Sequence, residues 1–378
     1  MKRWLPAILV LLLAGCSQPA RTPAAGVTPA QTPTATAEPS GKGLPPSPST
    51  GPSPDLPLTT VNLSCRLPAV DLVYPGQFKG GFIIFPAGSF AFDLKGGFST
   101  DPQTGVLSTV TRPVLKGQLA IGLPLYDAAQ GRWVPAGAAA STPDGAFYAY
   151  SIWDPAQPNV AVVHVVDVAR ATDRAFQVTM PVIAQGFSVA DFDSRGVYLL
   201  SNGFEQLPEG VWLMNPTTGS LQRLFQVGHV AAVRGGYAWA ADIDPRDPSP
   251  PQLRRSGTPS DSITRIDLRT GAQSVWFYRP GKQVDLTGFD SFAHPIIDVF
   301  DPNDTSGYSE TWLAGDPSNP TEIYAGHVSI GVPQGDGERI WFSGIAGVYL
   351  YTASVGLRKV AAFNLPDNDS VTVVGFCA

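Results

Sequence analysis

Beyond about Leu58 the chain alternates short apolar runs with Gly, Pro, Asp and Asn, and helical periodicity is nearly absent. The runs are β-branched or aromatic, as in Gly81–Phe85, Val160–Val166, Val197–Leu200, Tyr237–Ala241, Ile340–Phe342 and Gly347–Tyr351. Apolar stretches of this length bounded by turn formers read as β-strands. Several are continuous instead of alternating, the pattern of strands covered on both faces. A repeat of roughly 40 to 55 residues organises them. Each unit ends in a hairpin whose turn opens with Asp or Asn and closes with Gly four positions on. The clearest are Asp127–Gly131, Asn215–Gly219 and Asp267–Gly271, with degenerate forms at Asp167–Ala171 and Thr352–Gly356. The acid or amide caps the turn through its side chain, and glycine takes the left-handed position.

Six such units are read near 80–133, 134–178, 179–227, 228–280, 281–327 and 328–367. A first strand, Cys65–Val73, and a last, Val371–Cys377, are left over. Units with open edges are protected by radial closure, and pairing the leftover strands closes the ring. The predicted fold is all-β: a six- or seven-bladed β-propeller closed by its N- and C-terminal strands. Cys65 and Cys377 flank it and are expected to form a disulfide that locks the closure. The chain-entropy model gives about 5 to 6 kcal/mol for so long a loop, as an upper value.

The N-terminus has another character. Lys2 and Arg3 precede an apolar run from Ala7 to Leu13, then Leu13-Ala14-Gly15-Cys16. A positive start, a short apolar segment and small residues make a secretory signal, since a bilayer span needs about 20 apolar residues. Residues 17–58 contain 11 prolines among 42, with Thr, Ala, Ser and Gly supplying most of the rest. Such chain buries too little apolar surface to order itself and extends at roughly 3 Å per residue. The predicted organisation is signal peptide 1–15, lipidated Cys16 and a disordered linker to residue 58, and the propeller at 59–378. Loss of Lys2 and Arg3 takes the formal charge from −6 to −8, which does not favour nucleic acid or anionic lipid.

Two resemblances sharpen this. Leu13–Cys16 resembles the bacterial lipoprotein lipobox, which implies a diacylglyceryl group on the Cys16 thiol and an acylated amine. Thr142-Pro-Asp-Gly-Ala-Phe-Tyr-Ala-Tyr150 resembles the strand-turn-strand of TolB-type and WD-repeat-like propellers, echoed at Asp193–Leu199 and Gly335–Phe342. Gly80–Asp93, Tyr126–Trp133 and that turn are together similar to bacterial secreted propellers. The resemblance implies an extracytoplasmic protein, lipid-anchored to the cell membrane, and leaves activity open.

Chemistry is sparse in the sequence. Nucleophile elbows, zincin helices and phosphate-binding glycine loops are missing from it. His164, His229, His294 and His327 are far apart; His164 reads as a core histidine, and His229 and His327 as structural at blade junctions. Asp242, Asp244 and Asp247 fall in one loop, and Asp301, Asn303, Asp304 and Glu310 in another. Oxygen ligands at that density suit Ca²⁺, which makes Asp242, Asp244 and Asp301 the candidate metal ligands, although solvated acids explain them more simply. Asp267–Trp276 is similar to the tryptophan-docking repeat of quinoprotein dehydrogenases, but Trp falls one residue late and structural packing accounts for it without a quinone. Trp153, Tyr308 and Trp312 are candidates for a ligand-stacking rim. The sequence thus points to a monomeric binding or scaffolding module for a protein, peptide or glycan, needing no cofactor. The alternative is a propeller hydrolase or lyase with axial carboxylates and Ca²⁺.

Overall fold

The computed structural model describes residues 56–73, 77–100, 107–109, 119–120, 125–127, 131–134, 136, 138–142, 144–153, 160–179, 187–201, 210–225, 230–241, 260–328, 330–344, 347–363 and 370–378. The signal segment, Cys16, the linker to residue 55, His229, Asp242, Asp244 and Asp247 lie outside them.

Four blades are simple meanders whose strand order follows the sequence. Blade 3 contains β11 (Phe187–Asp193), β12 (Gly196–Ser201), β13 (Val211–Met214) and β14 (Leu221–Phe225). Blade 4 contains β15 (Val230–Arg234), β16 (Tyr237–Ala240), β17 (Ser262–Asp267) and β18 (Gln273–Tyr278). Blade 5 contains β19 (Gln283–Phe289), β20 (Pro295–Phe300), β21 (Ser309–Leu313) and β22 (Thr321–Gly326). Blade 6 contains β23 (Ile330–Asp336), β24 (Arg339–Gly344), β25 (Gly347–Thr352) and β26 (Gly356–Ala362). These match the last four repeats of the sequence.

The first two repeats divide differently. Blade 1 combines β1 (Arg66–Val73), β2 (Gln77–Ile84), β3 (Ser89–Thr100) and β4 (Leu107–Thr109) with the terminal β27 (Ser370–Val373). Blade 2 runs β5 (Leu119–Ala120), β8 (Phe147–Trp153), β9 (Val160–Asp167), β10 (Thr172–Thr179). Between them, β6 (Leu125–Asp127) and β7 (Arg132–Val134) form a separate ribbon, followed by a short 3-10 turn, Ala138–Ala140. β6 and β7, on either side of the Asp127–Gly131 signature, therefore form an insert and not a blade; the signature itself is common to tight hairpins in general. Tyr126 and Trp133 pack with Phe82 of blade 1, and Leu125 packs with Tyr148 and Tyr150 of blade 2.

The ring closes as the leftover strands require. β27 pairs antiparallel with β1, with Ala69 opposite Val373 and Leu72 opposite Ser370. Backbone bonds between Arg66 and Ala378 extend the ladder, and the Cys65–Cys377 disulfide spans Cα atoms 5.5 Å apart. Asp336 Oδ2 accepts hydrogen bonds from Trp341 Nε1 (3.0 Å) and the Cys377 N–H (3.4 Å), and its ion pair with Arg339 is 3.0 Å, joining blade 6 to this seam.

The turns behave as their composition predicts. Asn215 Oδ1 accepts from the N–H groups of Thr217 and Thr218, and Asp267 Oδ1 from those of Arg269 and Thr270. Gly219 and Gly271 close these turns at φ +72° and +74°. In the degenerate turn Ala171 itself takes φ +49°, a conformation that costs a residue with a Cβ.

Candidate functional site

In blades 3 to 6 the first-to-second and third-to-fourth strand hairpins share one face of the disc, as an antiparallel order dictates. The second-to-third connections and the passages between blades share the other, here called the loop face. Of the two acidic loops singled out in the sequence, residues 301–308 are a second-to-third connection and so belong to the loop face.

The blade 5 loop, residues 301–308, is held by its own side chains. Asp301 Oδ1 accepts the Asn303 N–H at 2.9 Å, and Lys282 Nζ reaches Asp301 Oδ2 at 3.3 Å. The Asn303 N–H and then Lys282 hold the Asp301 carboxyl below the usual carboxylate range. Asp304 accepts the Ser306 N–H and hydroxyl, each at 2.8 Å, and is lowered likewise. His327 Nδ1 donates to the Ser306 carbonyl at 3.1 Å, and the Tyr308 ring meets the His327 ring edge-on at 5.5 Å. Tyr308 thus stands half-buried at the foot of a braced loop. Among the described residues no three His, Cys, Asp or Glu side chains come close enough to hold a metal ion.

Trp312 is placed differently from the rim expected of it. Trp312 lies in β21, 6% exposed, packed with Trp239, Ile263 and Phe277 across the blade 4–5 seam. Its Nε1 donates to Glu310 Oε2 at 3.0 Å, and the Arg279 guanidinium sits 4.4 Å above its ring. Flanking loop residues disguise a strand position whose ring faces the neighbouring blade. Trp153 ends β8, opposite Ala161, with its side chain outside the described part. Trp276 does dock: Nε1 donates to the Ala314 carbonyl of blade 5 at 2.7 Å, while Arg265 covers its ring at 3.8 Å.

The described histidines hold structural partners. His164 Nδ1 is 2.9 Å from Asp173 Oδ1, its ring stacks on Tyr150 at 4.5 Å, and the Tyr150 hydroxyl donates to Asp173 Oδ2. His294 Nδ1 bonds Asp290 Oδ2 at 2.8 Å, while Asp290 Oδ1 accepts the N–H groups of Phe292 and His294.

Asp191, buried, and Asp298, half-buried, were not singled out by the sequence. Asp191, on the innermost strand of blade 3, reaches blade 4, where Arg234 Nη1 and the Gly235 N–H each donate at 3.1 Å. Burial nonetheless raises its pKa, outweighing Arg234. Asp298, on β20, accepts the Thr311 hydroxyl at 2.7 Å, and burial, with Asp285 beside it, pushes its carboxyl up to about 6. The signal for both was a single aspartate inside an apolar run, Phe187–Phe192 and Pro295–Phe300.

No protein-family model and no curated protein matches the sequence. Among solved structures the chain is similar to a prolyl endopeptidase, at 12% identity and a TM-score of 0.47 over 82% of this chain and 50% of that one. It is similar to TolB from Acinetobacter baumannii, at 11% and 0.44 over 82% and 64%. It is also similar to the β-propeller domain of the trilobed protease from Pyrococcus furiosus, at 9% and 0.43 over 80% and 85%. The chain spans half the length of that prolyl endopeptidase. By its own six blade sheets the protein is an all-β, six-bladed propeller.

Proposed function

We propose that this chain is a binding or scaffolding module at a bacterial cell envelope, tethered through a lipid on Cys16 and a proline-rich stalk. Its loop face receives a protein, peptide or glycan. The observation that carries this reading is the braced blade 5 loop on a closed disc. Asp301 and Asp304 spend their carboxylates on the loop's own N–H groups and on Lys282, so the loop is shaped before any partner arrives. A preshaped surface loses less entropy on binding. Tyr308 beside it offers an aromatic face with a polar end, suited to a sugar or peptide backbone.

Thermal unfolding of the full chain against cell-wall fragments, oligosaccharides, peptides and Ca²⁺ tests this. A specific ligand at 100 times its Kd adds about 2.7 kcal/mol. The reading expects such a shift from a glycan or peptide without divalent cation, lost in Tyr308→Ala. A Ca²⁺-dependent shift accompanied by ligand breakdown would favour the hydrolase or lyase reading instead.

A further inference from the structure

Blade 5 carries polar side chains on its blade 6 side that the proposed binding role leaves unused. Asp285 on β19 and Asp298 on β20 stand directly opposite each other, and Thr311 on β21 continues the row. Opposite residues of an antiparallel pair point the same way with Cβ atoms about 5 Å apart, so the two carboxyl groups leave the sheet on the same side. Strand alternation fixes the side. Ile296 packs with Ile330, Ile340 and Phe342 of blade 6, whereas Ile297 and Val299 pack against blade 4.

The groups around the pair are few. Thr311 donates to Asp298, and Gln283 Nε2 reaches both oxygens of Asp285 at 3.3 Å. The seam also holds Tyr324 from β22 and Tyr349 and Tyr351 from β25, while Lys359 of β26 lies 5.9 Å from the Tyr349 ring centre. From β23 and β24 it receives Ile330, Ile340 and Phe342. His294, His327 and Asp336, at its ends, are bonded to Asp290, to the Ser306 carbonyl, and to Trp341 and Arg339. Burial is the larger influence on Asp298, and Asp285 is the charge that adds to it. A charge on Asp298 facing a second carboxyl adds to the cost that burial already sets. The inner strands leave little slack: a Cβ on Gly288 would lie 2.6 Å from Pro333 Cγ of β23, and Gly335 abuts the backbone of Ser291.

We propose that this seam is a proton-operated clasp: in mildly acidic surroundings Asp298 keeps its proton on the side it shares with Asp285 and β19 closes on β23, and loss of that proton to solvent at higher pH sets a negative charge facing the Asp285 carboxyl and loosens the seam. The sign follows from Asp298. Its carboxyl, at about 6, stands above the usual value of about 3.9, so the folded chain binds more protons between those limits. Stability from this group is full below about pH 4, falls as pH rises to about 6 and is level beyond. Two pKa units correspond to a roughly hundredfold change in the unfolding constant.

The test is thermal and denaturant unfolding of the full chain from pH 4.5 to 7.5 for the wild type, Asp298→Asn and Asp285→Asn. Asp191 and the turn aspartates are common to all three and cancel in ratios. The unfolding constant of the wild type relative to Asp298→Asn should rise tens-fold across this range, and Asp285→Asn should move the change to lower pH. Amide exchange in β19 and β23 of the wild type, corrected for intrinsic rates, should slow at pH 5 relative to pH 7; this needs no variant to fold. A ratio constant with pH, or exchange following intrinsic rates alone, overturns the clasp.

Discussion

The two faces of blade 5 meet their neighbours with different chemistry. Toward blade 4 the seam is mainly apolar and aromatic: Val284, Ile297, Val299 and Trp312 pack on Trp239, Ile263 and Phe277, and Trp276 docks on Ala314, with Arg279 and Glu310 the charged groups at Trp312. Toward blade 6, Ile296, Leu313 and Ile323 share the seam with Asp285, Asp298 and Thr311. Strand alternation produces both from the same residues, since neighbours along β20 point to opposite seams. The difference teaches where this ring is held and where it can respond. An apolar seam gains from every buried methylene at any pH, whereas a buried carboxyl makes its seam depend on a proton.

The largest effect should come from breaking the apolar face. Trp276→Ala removes an interlocked indole and its bond to Ala314, and should cost about 3 to 5 kcal/mol by denaturant titration, equally at pH 5 and pH 7. Trp276→Phe keeps most of the burial and should lose about 1 kcal/mol, the share of the hydrogen bond. A pH-dependent cost for either variant would erase the contrast between the seams.

The polar face is probed next by Thr311→Val. The hydroxyl favours the charged form of Asp298, so its removal should cost about 1 to 3 kcal/mol at pH 7. The cost should shrink at pH 5, where the carboxyl carries its own proton. Equal losses at both pH values would mean that the hydroxyl serves packing alone.

How much of this was legible in the sequence depends on which interactions carry each feature. The last four blades were readable because each is a local meander with its own turn chemistry, as at Asn215 and Asp267. Closure was readable from Cys65, Cys377 and two unpaired strands. The bounds of blade 1 were not, because β1, set apart in the sequence as a leftover strand, pairs with β2, and because Asp127–Gly131 has a blade hairpin's residues between two strands that belong to no blade. Trp312 was misplaced since its neighbours in sequence are polar while its neighbours in space lie on blade 4. The Asp285–Asp298 row escaped for the same reason: register, which sets residues 13 apart side by side, is a property of the sheet.

The smallest effect is a control away from both seams. Ala171 occupies the turn position that glycine takes at Gly219 and Gly271, at φ +49°. Ala171→Gly should be neutral to stabilising by about 1 kcal/mol, the relief of left-handed strain less the added freedom of the unfolded chain. Gly271→Ala should lose about 1 kcal/mol, and neither should alter the pH dependence of unfolding.

The contrast between the seams is tested most directly by a carbon-13 carboxyl titration of the folded chain from pH 3 to 8, in the wild type and in Asp298→Asn. The account predicts an aspartate resonance with a midpoint near 6 that disappears in Asp298→Asn, with the turn aspartates titrating below the usual range. If the Asp298 resonance titrates near 4 instead, the blade 5–6 seam holds no proton and its acids are solvated like those of the turns.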